Sequence, residues 1–157
     1  MSETAQTARW MIYGANGYTG ELIARQAAKQ GLKPVLAGRS SGKVAPLAAE
    51  LGLDSAGFAL DNAADVARHL DGFSLVLNCA GPFSATAEVM MEACLAARAH
   101  YLDITGEIAV FELAQSLNAR AEAAGIVLCP GVGFDVIPTD CVAAALKEAL
   151  PDATHLT

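Results

Sequence analysis

Six short apolar runs recur along the chain, each followed by a longer segment with helical spacing, and this alternation constrains the fold more than any other feature. The runs are WMIYGA, KPVLAGR, AGFALD, FSLVLNCAG, HYLDITG and GIVLCPGVG. They are apolar at successive positions, as strands covered on both faces are. Between them, GYTGELIARQAAKQG (closed by Gly31), GKVAPLAAELG, NAADVARHL and SATAEVMMEACLAARA read as helices. In the first of these, Gly20, Ile23, Ala24 and Ala27 share one face and Glu21, Arg25 and Lys29 lie opposite. After the fifth run, Val110, Leu113, Ala114, Leu117 and Ala121 line one face of a single helix. After the sixth comes PTDCVAAALKEAL, with Pro138 suited to a first helical turn. Parallel strands need helix-length crossovers, and those crossovers are right-handed. The expected fold is therefore α/β: a three-layer, doubly wound parallel sheet of about six strands.

The chain has 157 residues, enough for one domain with a sizeable core. A content of 54% hydrophobic and 17% charged residues excludes a disordered chain. The net charge of −7 counts against a nucleic-acid partner, while a few cations and a helix terminus could still hold a small anion. Cys79, Cys94, Cys129 and Cys141 form no C-x-x-C pair and have no histidine at metal-ligand spacing. Reduced thiols, no metal and a cytoplasmic location follow. The opening MSETAQTAR has no leader pattern, and no apolar run is long enough to span a bilayer, so no membrane partner is expected. His69, His100 and His155 compose no acid–base set, and His69 belongs on an exposed helix face. The final PDATHLT opens like a further strand and stops, which reads as a cut at a domain boundary.

Gly14, Gly17 and Gly20 recur at three-residue intervals where the first run hands over to its helix. In such a unit the first glycine permits a tight turn and the second lets a phosphate approach the backbone. The third lets the helix pack close to the strand. A diphosphate would meet unpaired N–H groups and the positive end of the helix dipole. The spacing is Gly-x-x-Gly-x-x-Gly rather than Gly-x-Gly-x-x-Gly.

The second run ends in LAGRSSGK. A site built for NAD places an acidic residue about 20 residues past the glycines, to bind the ribose 2′-hydroxyl. Here stand Arg39, Ser40, Ser41 and Lys43 instead, which suit a 2′-phosphate and point to NADP(H), with NAD(H) left open. Asp61, closing the third run, either caps the following helix, as Asn62 also could, or accepts from an adenine amino group. NCAGPF ends the fourth run on the crevice side, with Ala80 and Gly81 small enough for close approach and Pro82 turning the chain away. Asp103 and Asp135 suit turn or capping roles better than catalysis. Asp140 and Glu107 read as first-turn complements to the helix dipole.

In the order GANGYTG, LAGRS, NCAGPF, YLDITGE and PGVGFDVIPTDC, the chain resembles the NADP-binding half of the saccharopine dehydrogenase-like family, including its trans-acting enoyl reductase branch. The resemblance implies a Rossmann domain, with a second, mostly β domain that closes over the cofactor and supplies much of the substrate site. By position it implies that Gly14, Asn16, Gly17, Tyr18, Thr19 and Gly20 form the phosphate loop. Arg39 and Ser40 would contact the adenosine phosphate, and Cys79, Ala80, Gly81 and Pro82 would form the ribose-side loop. Nothing in these 157 residues corresponds to the second domain, so the expectation is a fragment, residues 1–157, that lacks its substrate half.

Two functions from different classes remain. One is an oxidoreductase domain that binds NADP(H) for hydride transfer with a small-molecule substrate, has no assignable catalytic residue of its own and is inactive alone. The other is a sensing module that binds NADP without turnover, resembling the NmrA-like regulators. A native extension of about two hundred residues would favour the enzyme. A short-chain dehydrogenase is excluded: the fourth residues after Tyr13, Tyr18 and Tyr101 are Gly17, Leu22 and Thr105, never lysine. A homodimer is left open.

Overall fold

The structure is a computed structural model that describes residues 8–155. Most of the polar opening stretch (residues 1–7) and the end of the PDATHLT segment (residues 156–157) lie outside the described residues. The elements run β1 Trp10–Tyr13, α1 Tyr18–Lys29, β2 Val35–Gly38, α2 Ser41–Leu51, β3 Ser55–Gly57, α3 Ala63–His69 and β4 Leu75–Asn78. They continue with α4 Phe83–Ala97, β5 His100–Asp103, α5 Ile108–Ser116, α6 Asn118–Ala124, β6 Leu128–Cys129 and α7 Ile137–Ala149.

All six strands are parallel, in the order β3-β2-β1-β4-β5-β6. The two-residue period of each strand sends neighbours to opposite faces. Met11, Tyr13, Val35, Ala37 and Val76 enter the core shared with α3 to α6. Ile12, Leu36 and Leu77 enter the core shared with α1 and α2. Three layers result, doubly wound as the alternation demands. The chain reverses its direction of winding between β1 and β4, and register sets Tyr13, Asn78 and Asp103 side by side at the carboxyl edge.

Three elements differ from expectation. The third strand was expected over AGFALD, but β3 ends at Gly57, against which Ser41 packs so closely that a Cβ would stand 2.5 Å from Ser41 N. Phe58 still donates its N–H to Gly38 O at 3.1 Å, then turns inward to stack on His69 and meet Tyr13. Residues 58–61 thus leave the sheet for the cleft. The helix after β5 is two, broken at Leu117, where Ser116 Oγ donates to Leu113 O at 2.7 Å and competes with the regular ladder. Its apolar face nevertheless continues through Val110, Ala114, Leu117 and Ala121, all buried. Residues 151–155 form a turn and irregular chain with no strand.

The last helix, α7, buries none of its side chains. Phe134, Ile137, Val142, Leu146 and Leu150 are exposed along and beside it. Among the described residues no helix is long and apolar enough to cross a membrane.

Candidate functional site

A cleft of about 480 Å³ opens at the carboxyl edge of the sheet, over the reversal between β1 and β4. Its walls include Gly14, Asn16, Gly17, Arg39, Ser40, Asp61, Cys79, Ala80 and Gly81. Crevices at such reversals are where open α/β sheets hold ligands.

The glycine turn is built as its spacing suggests. Gly14 has φ +81°, and a Cβ there would lie 2.8 Å from Ala80 N, so both backbone conformation and the approach of the β4 end require glycine. Gly17 is the N-cap of α1 and offers no side-chain cap to the helix. Gly20 lies beneath the turn: a Cβ there would stand 2.3 Å from Gly14 O. Tyr18 and Thr19 begin α1 with their side chains exposed, Tyr18 at 84%, outside the cleft wall. Of the expected phosphate-loop residues, Gly14, Asn16 and Gly17 face the cleft and Gly20 sets the packing below it.

A second helix start faces the same space. Ser40 is the N-cap of α2, yet its hydroxyl makes no capping bond. Arg39 and Lys43 stand beside it in the cleft wall. Among the described residues Arg39 makes no ion pair. The following helix, α3, is capped by Asn62, whose Oδ1 accepts from Asp65 N at 2.9 Å. The capping role expected first for Asp61 is therefore taken by its neighbour, and Asp61 lines the cleft.

Tyr13, Leu60 and Thr86 also line the cleft, and no motif or spacing marks them. Tyr13 donates from its hydroxyl to Phe58 O at 2.8 Å. Burial raises its pKa; the nearby Arg39 opposes that rise and Asp61 adds to it. Cys79 is pushed up to about 12, by burial first and by Asp103 second, so its thiol is protonated and no nucleophile near neutrality.

Under the cleft a hydrogen-bonded chain ties three strand ends together. Thr86 donates to Ala80 O at 2.6 Å, and Asn78 Nδ2 donates to Thr86 Oγ1 at 3.3 Å and to the Tyr101 hydroxyl at 3.4 Å. The Tyr101 hydroxyl donates to Asp103 Oδ2 at 2.6 Å. Asp103 Oδ1 accepts from Thr105 N at 3.0 Å and Gly131 N at 2.8 Å. Asp103 is fully buried and both its oxygens are engaged, which is the turn role expected of it. Burial and the Asp103 carboxylate raise the Tyr101 pKa far above its ordinary value. Asp135 is exposed, and Asp140 sits in the first turn of α7. Pro82 is the N-cap residue of α4 and exposed. Glu107 departs from expectation: its carboxylate caps α4, not its own helix α5. No group of three or more potential metal-ligating side chains occurs among the described residues.

A six-stranded parallel sheet in this order, with uncapped helix starts over its reversal, defines a Rossmann-type α/β domain. The sequence model of the Saccharopine dehydrogenase NADP binding domain matches residues 10–129, and the chain belongs to that family. It is 28% identical over 152 residues to a human saccharopine dehydrogenase-like oxidoreductase, covering 83% of this chain and 35% of the relative. It is 29% identical over 157 residues to a candidate trans-acting enoyl reductase of Mycobacterium tuberculosis, covering 95% of this chain and 38% of that one. Among solved structures, apo saccharopine dehydrogenase (L-Glu forming) from Saccharomyces cerevisiae superposes with a TM-score of 0.76 at 13% identity. That match covers 90% of this chain and 31% of the yeast enzyme. The chain thus spans about a third of the length of the relatives it matches.

Proposed function

We propose that this chain is the NADP(H)-binding part of an oxidoreductase whose substrate is a small molecule held mainly by a further domain. The observation that carries the reading is that α1 and α2 both present N-termini without side-chain caps to one cleft, with Arg39 and Lys43 beside the second. Two anionic groups fit there: a diphosphate on the amides that start α1, and a 2′-phosphate at Ser40, Arg39 and Lys43. Asp61, with Ala59 and Leu60 in the same wall, would border the adenine end. Cys79, Ala80 and Gly81, in the cleft wall, would border the ribose beyond the diphosphate, with Pro82 next in the same turn. The bound nicotinamide supplies the hydride chemistry, and the residues here bind and orient it.

The rest of the site supports a division of labour. Asp103 and Tyr101 are committed to each other, and Cys79 is protonated, so these groups offer the substrate neither base nor nucleophile. Tyr18, Ile108 and Phe134 are apolar side chains left exposed, the last at 86%. Phe134 lines one groove with Pro138, Val142 and Leu146 of the bare α7, apolar surface suited to a further domain, for which the greater length of the relatives provides room.

Calorimetric titration of the chain with NADPH and NADH tests the reading. NADPH should bind at least about tenfold more tightly, the worth of one or two charge-assisted hydrogen bonds. Arg39→Asp should abolish most of that difference and leave NADH binding within about threefold. Equal affinities for the two cofactors in the unmodified chain contradict the NADP preference.

A further inference from the structure

Resting on the cofactor reading above, we infer that Glu107 is a positioning residue for the cofactor: its carboxylate, from across the cleft edge, fixes the β4–α4 turn against which the nicotinamide-side ribose must sit. Glu107 Oε1 accepts from Phe83 N and Oε2 from Ser84 N, each at 2.8 Å. Those are the first two N–H groups of α4, which has only Pro82 at its N-cap and no cap of its own. A neighbour some two dozen residues along the chain does what a local cap does elsewhere, and does it with both carboxylate oxygens.

Both ends of the latch are anchored. Glu107 donates its N–H to Thr105 Oγ1 at 3.0 Å, and Thr105 donates its own N–H to the buried Asp103. On the far side the turn is held by Thr86 on Ala80 O and by Cys79 N on Tyr13 O at 2.8 Å. The β4–α4 turn therefore cannot shift without breaking either the latch or the buried chain. The amides at the start of α4 lower the Glu107 pKa, which keeps the carboxylate ionised near neutrality.

The charge matters as well as the geometry. At the carboxyl edge the N-termini of α1, α2 and α4 follow β1, β2 and β4, the strands beneath the cleft. Those of α1 and α2 lack side-chain caps, whereas Glu107 neutralises that of α4 from within. A dinucleotide lying across the reversal brings its phosphates to α1 and α2 and a neutral ribose to α4. Glu107 removes the positive terminus next to those of α1 and α2 and so favours the direction in which the ligand lies.

The test uses two ligands. Adenosine 2′,5′-bisphosphate spans from Arg39 to the glycine turn and stops there, whereas NADPH continues past α4. Glu107→Gln keeps the side chain's size but turns an N–H₂ toward a helix N–H, and Glu107→Ala deletes the latch. Both variants should bind NADPH about tenfold or more weakly, bind adenosine 2′,5′-bisphosphate within about twofold of the unmodified chain, and show faster hydrogen exchange at Phe83 and Ser84. Unchanged NADPH affinity in Glu107→Gln overturns the inference. So does an equal loss for both ligands, which would mark Glu107 as merely structural. Failure of the unmodified chain to bind either ligand instead overturns the cofactor reading itself, and the inference with it.

Discussion

Cys79 stands in the wall of the cleft. A thiol in a cleft suggests a nucleophile, but burial and Asp103 raise its pKa to about 12. At pH 8 the thiolate is then on the order of one molecule in ten thousand. Timed iodoacetamide labelling read by mass spectrometry should modify the exposed Cys141 first and leave Cys79 unmodified at pH 8. Raising the pH toward 12 favours the thiolate, so Cys79 labelling should accelerate for as long as the fold persists. Rapid Cys79 labelling at pH 8 would contradict its placement. At this scale the sequence was legible where a residue's task is local. Gly14, Gly17 and Gly20 announce a turn by spacing, and Arg39, at the end of β2, lines the cleft as its place after the strand suggested. Tyr13, Thr86 and Glu107 were not legible, or were misread, because their partners Phe58, Asn78 and Phe83 are brought to them only by the folded sheet.

The approach of α1 to β1 is the element-scale feature on which the cleft depends. Alanine is ordinarily favoured over glycine in a helix by about 1 kcal/mol. At Gly20 the sign reverses, because the added Cβ would meet a backbone carbonyl oxygen at 2.3 Å. Gly20→Ala should push the helix start off the turn and cost about 1–3 kcal/mol in urea-induced unfolding, with weakened NADPH binding. A stabilised Gly20→Ala protein would show that the helix is not held so close. Element type was legible nearly throughout, since strands apolar on both faces and striped helices have different periods. Strand and helix ends were less so. β3 is an edge strand paired only with β2, and its end is set by Ser41 packing on Gly57, a contact between separate elements. The break between α5 and α6 leaves the apolar stripe intact, so periodicity could not reveal it.

For the whole molecule, the sheet and the last helix differ in how firmly they are held. β1 and β4 lie at the centre of both cores, whereas α7 buries nothing. Native-state hydrogen exchange should show α7 amides exchanging at least about a hundredfold faster than those of Ile12 and Leu77. Comparable protection would mean that α7 is packed in a way the described contacts do not provide. The doubly wound architecture was legible from alternation and crossover handedness. The exposure of α7 was not, since an exposed apolar face has no sequence signature distinct from a buried one.

In the proposed function the dinucleotide's diphosphate rests on the amides between Gly14 and Gly20, where β1 passes into α1. Backbone amide shifts recorded during an NADPH titration test it most directly. The largest changes should fall on Asn16, Gly17 and Tyr18, with a second group at Arg39 and Ser40. Saturable binding that leaves those amides unmoved and perturbs another surface would contradict it.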